Sequence, residues 1–288
     1  MALYKRLGKL TGWTVPEGGA ETRGTALLRP SGGMSTANNI VYRTERIARY
    51  FESNRSSWLQ FYASERWIFE RIASKSGSIG RVLDVGCAAG GLGLALQERF
   101  SIDEYVGVEI NEQAVAAARA RRDRLRPRAE FHCQDIVKMA TVPRAPFDLV
   151  TNLSCSDWNV ETAAITDACW RNVIPGGNLV ISLRLTNGGS VNDMSRSYQH
   201  ICFDEGLRDD DEKANYVVFN VRDALRLFEN LRPQPSQVLG YGYWGPPSKS
   251  AVTPYDQLVF SVFALTKSTR DDQVPTSELH LPLSLWTA

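Results

Sequence analysis

The sequence predicts an α/β fold, Rossmann-like, with seven strands, intervening helices and a helical cap ahead of them. Three observations carry that expectation. An apolar run, Arg81-Val-Leu-Asp-Val85, enters a turn holding Gly86, Gly90, Gly91 and Gly93 and continues as a helix-compatible stretch. A buried parallel strand feeding a helix N-terminus reads this way, and it brings backbone N–H groups against a ligand. A second strand, Tyr105-Val-Gly-Val-Glu109, ends in a carboxylate at the distance from the turn where an acid can hold both hydroxyls of a ribose. Strand-like and helix-like segments then alternate, as they do in α/β sheets.

The elements follow in order. Residues 1–38 are rich in Gly, Thr, Ser and Pro and predict a flexible arm or lid; the basic start, Met1 to Leu10, lacks the apolar core of a signal peptide. Residues 39–76 predict a helical cap. Ile40, Tyr42, Ile47, Tyr50 and Phe51 are spaced for one helix, and Trp58, Phe61, Tyr62, Trp67, Ile68, Phe69 and Ile72 for a second. The main domain, 77–268, takes strands at Arg81–Val85, Tyr105–Glu109, Ala129–Cys133, Phe147–Asn152 and Asn178–Leu183. Helices at Leu92–Arg99, Glu112–Leu125 and Glu161–Asn172 separate them. An insertion over 187–216 predicts a helix, Val191–Phe203, and a polar loop. Asn220-Val-Arg-Asp223 resembles a capping box at the start of a helix reaching Asn230. Strands at Gln237–Tyr243 and Gln257–Leu265 close the domain, and 269–288 predicts an irregular strap.

The turn also narrows the ligand. It reads Gly86-x-x-x-Gly90, not the G-x-G-x-x-G of dinucleotide folds, and Asp84 stands just before it. A carboxylate there repels a pyrophosphate and attracts an ammonium or sulfonium group. No G-x-x-x-x-G-K-[ST] is present to cradle a triphosphate. Asp84-Val-Gly-Cys-Ala-Ala-Gly and Val106-Gly-Val-Glu109-Ile resemble the first two motifs of class I S-adenosylmethionine-dependent methyltransferases. Phe131-His-Cys-Gln-Asp135-Ile, Phe147-Asp-Leu-Val-Thr-Asn152-Leu and Pro175-Gly-Gly-Asn-Leu-Val-Ile-Ser resemble the next three, in order. The resemblance implies a mostly parallel sheet ending in an antiparallel hairpin, with S-adenosyl-L-methionine as cofactor. It implies a cofactor site built from Asp84, Gly86, Cys87, Gly90, Glu109, Ile110, Gln134, Asp135, Ile136 and Asn152. Asp135 would meet the adenine amine; its other reading is a helix cap.

Composition excludes some partners. With 33 basic and 32 acidic residues the net charge is +1, which gives no global pull toward nucleic acid or a membrane. The basic run from Arg119 to Arg128 reads as a solvated helix face. No apolar run approaches membrane-spanning length. Five cysteines without a C-x-x-C pair fit a reduced, cytoplasmic setting. The expected partner is a small molecule; the oligomeric state stays open, a homodimer among the alternatives.

Catalytic candidates are fewer. His200 is the most suitable general base, against the plainer reading of a helix-surface histidine. Asp157 is either a cap before Val160 or a substrate-binding acid or base. Arg184, ending the fifth strand, suggests an anion clamp, or else an ion pair with Asp157 or Glu205. Trp58, Tyr62, Trp158 and Tyr243 are candidate substrate-binding aromatics. Cys155 follows Ser where carbon-5 cytosine methyltransferases need Pro-Cys, so it reads as structural, and the [DNS]-P-P-[YFW] of adenine-amino enzymes is absent. Leu185-Thr-Asn187 replaces the Asp-Asn pair of metal-dependent O-methyltransferases, so no metal is expected. The combined expectation is metal-independent O-methylation of a sugar or secondary metabolite. N-methylation of a small amine, an RNA or protein methyltransferase, and a non-catalytic cofactor-binding subunit are the alternatives.

Overall fold

The computed structural model describes residues 39–73, 77–126, 128–202, 206–270 and 274–287. The expected arm over 1–38, and Glu205, lie outside them.

The cap opens with α1 (Glu45–Ser53), whose first turn is capped by Thr44 accepting from the Arg46 amide. A single 3-10 turn, Trp58–Gln60, and α2 (Ala63–Ala73) follow. Trp58 and Tyr62 therefore stand before the second helix rather than on it. The alternating core comes next: β1 (Ser78–Val85), α3 (Gly91–Leu96), β2 (Ser101–Glu109), α4 (Glu112–Ala120), β3 (Arg128–Cys133), β4 (Phe147–Asn152), α5 (Thr162–Arg171) and β5 (Val173–Thr186). After it come β6 (Tyr198–His200), β7 (Lys213–Asn215), β8 (Phe219–Asn220), α6 (Val221–Glu229), β9 (Pro235–Gly245), β10 (Ala251–Val252), β11 (Leu258–Lys267) and β12 (Thr276–His280).

The main sheet runs β12-β9-β11-β5-β4-β1-β2-β3, with the short β8 paired to β5. β1 to β5 pair in parallel, and β11 lies antiparallel to both β5 and β9. The C-terminal hairpin is therefore as expected, but two strands join the seven. Of these, β12 pairs in parallel with β9, so the tail is an edge strand and not an irregular strap. The insertion also differs. Its 191–202 stretch forms no helix: β6, β7 and β10 make a separate three-stranded sheet. The Asp193 side chain accepts from both the amide and the hydroxyl of Ser195, a local turn that competes with helix hydrogen bonding.

Strand periodicity splits the core between the two sheet faces. Leu83, Val85, Val106 and Val108 join Trp170, Phe147, Phe228 and Phe263 on one side. Val82, Tyr105, Leu149 and Val180 join Trp58, Phe69 and Phe131 on the other. The strand order reverses at β1, between β2 and β4. Ligands of open α/β sheets bind beyond the carboxyl ends of the strands at such a switch point. Here those ends are Val85 and Asn152.

Candidate functional site

A cavity opens beyond that switch point. Its floor is the β1–α3 turn, through Asp84, Gly86, Cys87, Ala88, Gly91 and Leu92; one wall holds Glu109 and Ile110, another Leu153, Ser154 and Cys155. The cap closes it with residues that include Ile40, Tyr42, Phe51, Asn54, Arg55 and Phe61, and Trp158 and Asn159 complete the lining. Close backbone approach dictates the glycines. Gly86 has φ +76°, and a Cβ there would stand 2.4 Å from the Cys155 sulfur. A Cβ on Gly91 would stand 2.2 Å from the Arg55 carbonyl oxygen. Gly90, at φ +73°, makes the turn and packs on Phe131 without lining the cavity.

Backbone strain gathers at the same place. Arg55 (φ 54°), Ala88 (φ 44°) and Ser154 (φ 49°) are left-handed without being glycine, and all three line the cavity. Each such residue costs of order 1–3 kcal/mol and persists where its surroundings over-determine it. Asn111 ties cap to core: it caps α4 by accepting from Ala114 and donates through Nδ2 to the Tyr42 carbonyl at 2.8 Å.

Two carboxylates give the cavity its chemistry. Parallel register places Asp84 beside Thr151, whose hydroxyl donates to Oδ1 at 2.7 Å, while Tyr105 donates to Oδ2. Burial pushes the Asp84 carboxyl up to about 6, with those two hydrogen bonds opposing it. Asp84 lines the cavity, where a bound cation would favour its carboxylate form. Glu109 is held by backbone alone: Oε2 accepts from Ala88, and Oε1 from Ile110 and Asn111, at 2.8–3.0 Å. Desolvation raises its carboxyl, against the pull of those three amides.

A smaller cavity continues past Glu109, lined by Asn39, Ile110, Gln134, Asp135 and Ile136. Asp135 fills the capping role read from the sequence. It caps a 3-10 turn by accepting from Val137, it accepts from Asn39 Nδ2 at 2.8 Å, and it lines the cavity. Asn152 does not line either cavity. Its amide bonds the Val85 carbonyl and the Ser156 amide, so it shapes the loop leaving β4. Cys87 and Cys155 are thiols, their pKa values pushed up by burial, as a structural role requires.

On the far side of Ser154 lies a second, polar chamber, lined by Tyr62, Ser64, Glu65, Asp157, Arg184, Ser248 and Phe260 among others. Arg184 Nη1 pairs with Asp157 Oδ2 at 2.6 Å, and its guanidinium lies 3.8 Å over the Tyr216 ring. The ion pair foreseen as the plainer reading of Arg184 thus exists, inside the chamber wall. Asp157 is no helix cap; it sits within a 3-10 turn, Ser156–Trp158. Arg55 and Glu65, unremarked in the sequence, form a second pair at 2.8 Å that joins cap to chamber.

Three candidates are corrected. His200 belongs to β6, stacks edgewise on Tyr198 and lines none of these cavities, so it is no general base for them. Trp58 is buried against Phe69 and Phe100. Tyr243 stacks on Phe260 behind the chamber rather than lining it. Tyr62 and Trp158 do line cavities. Arg55, Glu65, Tyr42 and Asn54 were missed because their roles depend on contacts across the fold.

Comparison with known proteins agrees with this geometry. Residues 82–177 match a family model described as a methyltransferase domain. A ubiquinone biosynthesis O-methyltransferase from Idiomarina loihiensis is 33% identical over 102 residues, covering 35% of this chain and 41% of that protein. A trans-aconitate 2-methyltransferase from Variovorax paradoxus is 31% identical over 103 residues, covering 36% and 38%. The matches thus span well under two thirds of these relatives. Among solved structures, phosphoethanolamine N-methyltransferase 2 of Haemonchus contortus, in complex with S-adenosyl-L-methionine, superimposes with a TM-score of 0.51 at 15% identity. That likeness covers 78% of this chain and 57% of the other. Together with the sheet order it identifies the fold as that of class I S-adenosylmethionine-dependent methyltransferases.

Proposed function

We propose that this chain is an S-adenosylmethionine-dependent methyltransferase that methylates an oxygen of a small polar metabolite, a sugar or secondary metabolite, without a metal. The observation that carries this reading is the pair of carboxylates flanking a glycine cradle at the switch point. Glu109 would hold the ribose, Asp84 the cationic amino-acid portion, Gln134, Asp135 and Ile136 the adenine, and the bare backbone of Gly86 and Gly91 would admit the ligand closely. These residues fit the group: Asp84 and Glu109 line the cavity beside the backbone of Gly86 and Gly91, whose packing on Cys155 and the Arg55 carbonyl leaves no room for a Cβ. When bound, S-adenosylmethionine supplies a methyl group on a sulfonium centre, an electrophile that needs an aligned nucleophile.

This chain's own residues then supply position and a proton acceptor. Holding two reactants in line can lower a barrier by about 7–11 kcal/mol. The cap sets the rings of Tyr42, Phe51 and Phe61 against the cavity, apolar faces that would displace water from a bound cofactor. With His200 elsewhere, Asp157 takes the base role: its Oδ1 is buried without a partner in the chamber next to Ser154. Desolvation raises its carboxyl, against the opposing charge of Arg184, which makes it a better proton acceptor. A recessed chamber and a net charge of +1 support a small molecule over nucleic acid. Five unpaired cysteines support a reducing, cytoplasmic setting.

Calorimetry with S-adenosylhomocysteine tests the cofactor assignment. Replacing Glu109 with Ala removes hydrogen bonds to a charged acceptor worth roughly 1.5–3 kcal/mol each. The expected loss of affinity is on the order of 100-fold. Unchanged affinity would end the proposal.

A further inference from the structure

We infer that the chamber beyond Ser154 takes an uncharged compound bearing neighbouring hydroxyls, with Asp157 Oδ1 accepting from one and the open edge of the Arg184 guanidinium donating to the next. The inference rests on the methyltransferase reading and names its acceptor. It starts from an unmatched group. Asp157 is 3% exposed, and its Oδ1 has no hydrogen-bond partner among the described residues. A buried acceptor left in that state is costly, and a folded chain completes such a group with a water, an ion or a ligand; this one stands in the lining of a chamber. Its neighbour offers the opposite chemistry. Among the described residues, Arg184 hydrogen-bonds through Nη1, to Asp157 Oδ2 and the Asp157 carbonyl, which leaves Nε and Nη2 able to donate.

Charge then selects among ligands. The chamber is lined by one cation, Arg184, and two anions: Asp157, paired with Arg184, and Glu65, paired with Arg55 of the neighbouring cavity. A carboxylate or phosphate drawn to Arg184 would meet the Asp157 carboxylate beside it, and an ammonium drawn to Asp157 would meet the guanidinium. A hydroxyl meets neither penalty, because it donates and accepts. Two adjacent hydroxyls match an adjacent acceptor and donor. The remaining lining agrees: Ser64 and Ser248 bring further hydroxyls, and the Tyr62 and Phe260 rings, 6.0 Å apart, offer apolar faces for the C–H side of a polyol. A site built to bond hydroxyls rejects analogues lacking them, since its own polar groups are then left unpaired.

The test uses the full chain saturated with S-adenosylhomocysteine and saturation-transfer NMR. The probes are methyl β-glucopyranoside, methyl α-rhamnopyranoside and myo-inositol, with lactate and ethanolamine as the charged counter-probes. The expected result is transfer to at least one polyol and to neither charged probe. Asp157→Asn, which turns an amide N–H toward the chamber or toward Arg184, and Arg184→Gln should each weaken that polyol at least about 10-fold, with S-adenosylhomocysteine affinity unchanged as the sign of an intact fold. The double variant Asp157→Asn/Arg184→Gln removes both charges together and should show the same loss even if a single variant misfolds. Preferential binding of lactate or ethanolamine, polyol binding indifferent to all three variants, or binding of no polyol would each overturn the inference. Failure of the unaltered protein to bind S-adenosylhomocysteine would instead overturn the reading beneath it.

Discussion

The two halves of the site, on either side of Ser154, are built by different means. The cofactor half comes from the ends of successive parallel strands, β1, β2 and β3, so its residues are fixed by backbone geometry: amides hold Glu109, register pairs Asp84 with Thr151, and glycines clear the floor. The half proposed for the acceptor is assembled from the cap, the loop after β4, the end of β5, the loop between β9 and β10, and β11, and it is held by side-chain ion pairs. Backbone-built geometry tolerates few alternatives. Side-chain pairs can be rewired to suit a different acceptor while the first half stays constant.

Perturbations should therefore separate the halves. The largest effect falls on turnover. Asp157→Ala removes the proton acceptor and should lower kcat by about 10²–10⁴-fold, with S-adenosylhomocysteine affinity intact in calorimetry. Next is Gly86→Ala in the cofactor half. Strain at φ +76° and the clash with Cys155 should destabilise the fold by about 2–4 kcal/mol, measurable by urea denaturation.

A smaller effect follows from Asp84. Its raised pKa means the native state holds this proton more tightly than the unfolded chain. Its contribution to stability is thus full below about 3.8 and lost as pH rises through about 6. Cofactor affinity runs the other way, because a cationic ligand needs the carboxylate. Affinity for S-adenosylhomocysteine should fall about 10-fold from pH 7 to pH 5, and Asp84→Asn should flatten that slope. The smallest effect tests the cap. Glu212 accepts from the Arg43 and Thr44 amides at the start of α1, and Asp211 forms a buried ion pair with Arg46. Glu212→Ala should weaken cofactor binding only about 2–5-fold, on the order of 0.5–1 kcal/mol, detectable as faster S-adenosylhomocysteine dissociation in stopped-flow fluorescence.

The same contrast explains what could be read from the chain. Asp84, Gly86 and Glu109 were legible because each sits at a fixed offset within a contiguous motif, and the strands carrying them are buried and apolar. Asp135 was legible as a cap, and the same residue lines the smaller cavity. His200 was not. Apolar residues at Val191, Tyr198 and Ile201 suit a helix face, but Asp193 starts a turn, and pairing with Lys213–Asn215 and Ala251–Val252 makes a strand. Nothing local announces partners so distant. Trp58 and Tyr243 failed for a related reason: an aromatic on a patterned segment fills core or lines a pocket according to what packs on it, here Phe69, Phe100 and Phe260. Glu65 carries no signal at all until Arg55 is brought against it.

The most direct test of the division is calorimetry of S-adenosylhomocysteine binding to Glu109→Ala and Asp157→Ala side by side. The account predicts a loss of about 100-fold in the first and no change in the second. Equal losses in both, or none in either, would contradict it.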